Sequence, residues 1–150
     1  MILARTEPEL GEAFRRLRST QTRVGLVPTG GSFHRGHVAL IDRCVASTDI
    51  CVVAISAKAA QSRPMAARPH GGSDLERDVG IAGDRGVALL LMLEGQRTWS
   101  RADDLAQLLT LVRPDVAFFG RKNLRGAVLA RRVAEEVDRS IQVDTAPIVR

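Results

Sequence analysis

Apolar residues in this chain follow two spacings that take turns from one end to the other. Leu10, Ala13, Phe14 and Leu17 recur three and four apart, which predicts a helix running to Leu17 with Thr6 as its cap. Arg23–Thr29 then reads as a strand, and a second helix is expected from about His37 to Ser47. Ile50–Ala57 is an unbroken apolar, β-branched run, the pattern of a strand covered on both faces. Residues 58–73 hold Pro64, Pro69, Gly71 and Gly72 without periodicity and read as a loop over the site. A helix is expected from Ser73 or Asp74 to about Arg85, ended by Gly86, followed by a strand over Val87–Leu93. Ser100 is expected to cap a helix to Val112, with Asp103 and Asp104 near its start and Pro114 stopping it. Asp115–Phe119 reads as a strand, Asn123–Val137 as a helix and Ile141–Thr145 as a last strand. Alternation of this kind predicts an α/β domain: a Rossmann-like, doubly wound parallel sheet of about five strands in three α/β/α layers.

Composition narrows the class. At 150 residues the chain fits one domain around one core, and its mean hydropathy of −0.03 is ordinary for a globular protein. No run approaches the roughly 20 apolar residues that span a bilayer. Met1–Glu7 is too short and too soon charged for a signal peptide, so a cytoplasmic protein with no membrane partner is expected. The net charge of +5 rests almost wholly on arginine, with Lys58 and Lys122 the only lysines. Those arginines are interspersed with acids, tyrosine is absent and no aromatic platform for bases is visible, so no nucleic-acid partner is expected. Cys44 and Cys51 have no metal-type spacing and read as buried structural thiols.

Chemistry concentrates where the first long strand hands over to a helix, in Pro28-Thr29-Gly30-Gly31-Ser32-Phe33-His34-Arg35-Gly36-His37. A helix start offers unpaired N–H groups and the positive end of its dipole, which suits a phosphate. Glycines at 30, 31 and 36 allow close backbone approach, and neutral imidazoles at His34 and His37 can each donate one hydrogen bond to a phosphoryl oxygen. No metal is expected there, since the third histidine is His70 and no acid cluster accompanies the pair. A second strand end, Phe118-Phe119-Gly120-Arg121-Lys122-Asn123, is expected to face the same crevice. Neither GxGxxG nor GxxxxGK[ST] occurs, so the phosphates are held in another way. Asp74, Glu76 and Asp78 read as helix-start and surface carboxylates, and Trp99 as a packing residue.

Together these stretches resemble the N-terminal, nucleotide-binding part of the pantothenate synthetase family, in the HxGH group of nucleotidyltransferases. The family's PTMGALHEGH is here PTGGSFHRGH, and Gln61 falls where its NPxQF loop has glutamine. Leu75-Glu76-Arg77-Asp78 is similar to its LExD, Pro114–Asn123 to its PDxAxFGxKD, and the closing Thr145–Arg150 to its PTVR. The resemblance implies a ligase using ATP and Mg2+, in which a small-molecule carboxylic acid is activated as an acyl adenylate and condensed with an amine. It implies triphosphate contacts from His34, His37 and Lys122, with Pro28, Thr29, Gly30, Gly36, Gly120 and Asn123 shaping the nucleotide site. It also implies an acid-binding role for Gln61 and a homodimer built through this domain.

Departures from the family pattern change the expectation. Arg125 and Lys58 stand where the family has neutral amides, so an acid with a second anionic group, read by those two cations, is expected in place of pantoate. The sequence stops at Arg150, before the family's serine-rich nucleotide loop and small C-terminal lid domain, so a partner subunit covering the site is an expectation too. Two other readings keep the same histidines. One is a compact nucleotidyltransferase moving AMP or CMP to a phosphate; the other is a non-catalytic nucleotide-binding module that needs a partner.

Overall fold

The computed structural model describes residues 1–19, 21–30, 33–56, 74–93, 99, 101–120 and 124–146; of Asp74, residues 124–127 and Ala146 it describes the backbone alone. Elements follow in the order β1 (Ile2–Ala4), α1 (Glu7–Leu17), β2 (Val24–Thr29), α2 (Arg35–Ser47), β3 (Ile50–Ile55), α3 (Asp74–Asp84), β4 (Leu89–Leu91), α4 (Ala102–Val112), β5 (Val116–Gly120), α5 (Leu124–Val137) and β6 (Gln142–Ala146). All strand pairs are parallel, in the order β1-β4-β3-β2-β5-β6. Six strands form where the sequence pattern gives about five. The extra one, Ile2–Ala4, is too short to show an alternation and exists because it pairs with Leu89–Leu91, far along the chain.

The two core clusters display the period-two rule on a doubly covered sheet. Val24, Leu26, Ile50, Val52 and Ala54 face one way, against Leu10 and Ala13 of α1, Leu105, Leu108 and Leu109 of α4, and Ala130 and Val133 of α5. Val27, Cys51, Val53 and Ile55 face the other way, against Leu40, Ile41 and Cys44 of α2 and Ala82 of α3. That is why β3 reads as a continuous apolar run: every residue of it is buried.

Local signals set most boundaries. Thr6 accepts a hydrogen bond from the Glu9 N–H, and Glu7 and Glu9 against Arg15 and Arg16 complement the α1 dipole. Gly86, at φ 92°, ends the turn after α3. At α4 the N-cap is Arg101, without a side-chain cap bond, and Asp103 and Asp104 lie in the first turn; the cap expected at Ser100 lies outside the described residues. Arg113 leaves α4 in the left-handed region at φ 48°, and its carbonyl accepts from Arg18 Nη2 at 2.8 Å. Cys44 and Cys51 are buried free thiols, as expected, and the neighbouring Cys44 thiol together with burial pushes the Cys51 thiol up. Among the described residues no helix is long and apolar enough to cross a membrane.

Strand order fixes where a ligand would lie. From β2 the chain runs through α2 to β3, while from β5 it runs through α5 to β6 in the opposite direction. The adjacent strands β2 and β5 therefore form the switch point, and a ligand crevice belongs beyond their carboxyl ends, at Thr29 and Gly120.

Candidate functional site

Pro28 shapes the mouth of that crevice. In a parallel ladder, alternate residues point their backbone polar groups to opposite neighbours. Thr29 points toward β3, since its carbonyl accepts from the Ser56 N–H at 3.0 Å. Val24 points toward β5, accepting from Asp115 N at 2.8 Å, so Pro28 faces β5 as well. A proline there has no N–H to give, and the β2–β5 register ends at Leu26 and Ala117. The two strands are free to part just where the glycine turn begins.

Beyond that turn, α2 starts at Arg35, two residues earlier than the sequence pattern suggests, because His34 itself is the N-cap. Its Nδ1 accepts from the Gly36 N–H at 2.9 Å, and His37 Nδ1 accepts from the His34 N–H at 3.2 Å. This is a capping box built from imidazoles in place of the usual Ser and Glu. A nitrogen that accepts carries no proton, so both rings are held with the proton on Nε2. Among the described residues neither Nε2 has a hydrogen-bond partner. The rings stack, with centroids 3.9 Å apart and planes 28° from parallel. Burial, with the neighbouring His34 adding to it, lowers the His37 pKa from 6.5 to about 4, so His37 is neutral at pH 7. The first turn of α2 itself contains no acid.

The sequence profile of the family described as Pantoate-beta-alanine ligase matches residues 2–98 and 102–150. The chain belongs to that family. A pantothenate synthetase of Halorhodospira halophila is 32% identical over 168 residues, covering 93% of this chain and 59% of the relative. One from Pelotomaculum thermopropionicum is 28% identical over 177 residues, covering 100% of this chain and 63% of its own length. Among solved structures, pantothenate synthetase from Thermus thermophilus superposes with a TM-score of 0.76 at 28% identity, covering 100% of this chain and 63% of that one. The pantoate-beta-alanine ligase of Francisella tularensis, complexed with beta-gamma ATP and beta-alanine, gives 0.80 at 19% identity, over 100% of this chain and 68% of that one, a likeness of fold. The chain spans about three fifths of the length of the curated relatives it matches.

Within the pantoate-beta-alanine ligase frame, the expected positions divide in two. Thr29, Gly30, His34, Gly36, His37 and Gly120 gather at the carboxyl end of β2 and β5. Lys58, Gln61, Lys122 and Asn123 lie outside the described residues, and Arg125 is described only as backbone in the first turn of α5. Among the described residues no group of three or more His, Cys, Asp and Glu side chains could hold a metal ion.

Asp78 is not a surface carboxylate: it is 1% exposed and its Oδ1 accepts from the Phe33 N–H at 2.9 Å. Helical spacing alone places an acid four residues into α3 at the surface; what buries it is a partner 45 residues earlier in the chain. The similarity of Leu75–Asp78 to the family's LExD was the available signal. The adjacent Arg77 donates from Nη2 to the Phe33 carbonyl at 3.1 Å. Phe33 itself is buried, its ring 5.7 Å from that of His37. Trp99 packs against the core, as expected, and also donates from Nε1 to the Thr29 carbonyl at 3.0 Å, bracing the end of β2.

Proposed function

We propose that this domain binds ATP and serves an acid–amine ligase reaction. The observation that carries the reading is the imidazole capping box, which holds two rings in the Nε2–H form at a helix start beside the switch point. In the first step a substrate carboxylate oxygen attacks the α-phosphorus of ATP. The bond to the β-phosphate breaks, pyrophosphate leaves with the electron pair, and an acyl adenylate remains. In the second step an amine attacks the acyl carbon, AMP departs, and the amine proton passes to solvent. No nucleophilic side chain is required, so positioning and charge stabilisation supply the rate.

His34 and His37 would donate to the phosphoryl oxygens as negative charge builds on the departing pyrophosphate, each contributing about 2–4 kcal/mol. Lys122 would neutralise a further oxygen, Gly120 would leave room for the ribose, and Gln61 would hold the acid. Magnesium accompanying ATP is held mainly by phosphate oxygens, and its chemistry is to offset their charge. The acid is proposed to carry a second anionic group, on the strength of Arg125 and Lys58 standing where the family has neutral amides.

Pyrophosphate release from ATP, measured with a panel of mono- and di-anionic acids, tests both levels. The expected result is acid-dependent release that falls about 100-fold in His34→Ala and in His37→Ala. Stimulation by pantoate alone would remove the second-anion reading. Release unaffected by either substitution would remove the ligase reading as built on these histidines.

A further inference from the structure

The Phe33–His34 peptide group is bonded at both ends. Its carbonyl accepts from Arg77 Nη2, and its N–H, the backbone nitrogen of His34, donates to His37 Nδ1. We infer that Arg77 is a positioning residue that holds His37 in its Nε2–H form through this one peptide group. The assignment of the ligand as a triphosphate rests on the function proposed above; the arrangement of the relay does not.

Three observations carry it. First, the bonds run in series, from guanidinium to carbonyl to N–H to imidazole. A carbonyl that accepts from a cation draws electrons from its own amide nitrogen, making that N–H a stronger donor to the next acceptor. The acceptor is the ring nitrogen whose occupancy decides which side of His37 carries the proton. Second, the preceding peptide is gripped by the same turn of α3: Asp78, almost wholly buried, accepts the Phe33 N–H. Consecutive residues of one helix therefore clamp Phe33 at its N–H and its carbonyl, and its buried ring leaves little freedom to rotate the peptide. Third, among the described residues the exposed Arg77 has no hydrogen bond to either imidazole ring, and its bond to the Phe33 carbonyl is the connection that leads to His37.

Without the guanidinium, the peptide loses its polarising partner and can tilt, and His37 can exchange to the Nδ1–H form, which turns a lone pair instead of a donor toward a phosphate. A lone pair facing a phosphoryl oxygen repels it. The effect should fall on the rate of the chemical step more than on ATP binding, because charge on the oxygens grows in the transition state.

The test uses the full chain with Arg77→Met, which keeps side-chain length and removes every donor, beside Arg77→Lys, which restores a cationic donor. Long-range 1H–15N spectra of the histidine rings, recorded at pH 7.5 without ATP, read the tautomer directly. The expected result is a single Nε2–H form of His37 in the wild type, a mixture in Arg77→Met, and recovery toward one form in Arg77→Lys. Pyrophosphate release by Arg77→Met should fall by about 10- to 100-fold in kcat, with KM for ATP moving less than about threefold. A His37 tautomer unchanged in Arg77→Met overturns the inference, even if kcat falls. Should the wild type release no pyrophosphate, the ligase reading fails, while the ring spectra still decide the role of Arg77.

Discussion

At Gly25 the sheet and the histidine helix meet closely, and a single methyl group there tests how firmly α2 is seated. A Cβ at residue 25 would lie 2.5 Å from Cys44 Sγ, 2.8 Å from Thr48 Cγ2 and 3.1 Å from Thr48 Oγ1. The first distance is about 1 Å shorter than unstrained contact between such atoms. Neither neighbour yields easily: Cys44 is fully buried beside Cys51, and the Thr48 hydroxyl donates to the Cys44 carbonyl at 2.7 Å. Gly25→Ala should therefore lift the C-terminal half of α2 off β2 and cost about 2–3 kcal/mol. For a chain of this size that lowers the melting temperature by roughly 4–12 °C. If α2 moves as a rigid rod, its N-terminus carries His34 and His37 with it. A displacement near 1 Å can cost about 100-fold in a reaction that depends on positioning. Adding Cys44→Ala and Thr48→Ser removes the two nearest atoms, Cys44 Sγ and Thr48 Cγ2. Chemical denaturation of the single and combined variants should then show the loss largely recovered, with a coupling of about 1–2 kcal/mol. A Gly25→Ala protein within about 0.5 kcal/mol of wild type, or strictly additive losses, would refute this account of the contact.

Two further expectations follow from the site. His37 has its pKa depressed from 6.5 to about 4, so the unfolded chain takes up the proton first as pH falls. Stability is fully present above pH 6.5 and drains away between 6.5 and 4; the uncorrected shift corresponds to about 3 kcal/mol, cut to about 1–2 by screening at a ring that is partly exposed. An NMR titration of the ring with a midpoint near 6.5 would contradict it. Trp99→Phe removes the Nε1 donor to the Thr29 carbonyl, but that oxygen keeps the Ser56 N–H. The expected loss in denaturation is therefore only about 0.5–1.5 kcal/mol, and one above 3 kcal/mol would mean that the indole supports much more of the turn.

Most of the fold was legible because its signals are local. An unbroken apolar run marked β3 as covered on both faces, and Thr6 and Gly86 marked helix ends through their own backbone chemistry. What escaped depends on distant partners. Ile2–Ala4 becomes a strand only by pairing with Leu89–Leu91, and Asp78 is buried only because Phe33 offers an N–H across 45 residues. At the site, the pattern pointed to both histidines as phosphate donors, yet it could not show that they cap the helix for one another. Imidazole is an uncommon cap, and its geometry is visible only once residues 34 and 37 lie on one turn. Pro28 was expected among the nucleotide-site residues; that it faces β5 and ends a ladder follows only from strand order.

On the proposed function, the two Nε2–H groups meet a triphosphate together. Titrating ATP into the uniformly 15N-labelled chain while following the histidine ring nitrogens measures that contact. The Nε2 signals of His34 and His37 should move along one saturating curve, with AMP producing little change. Ring signals of residues 34 and 37 that stay still at saturating ATP, or that respond equally to AMP, would contradict it.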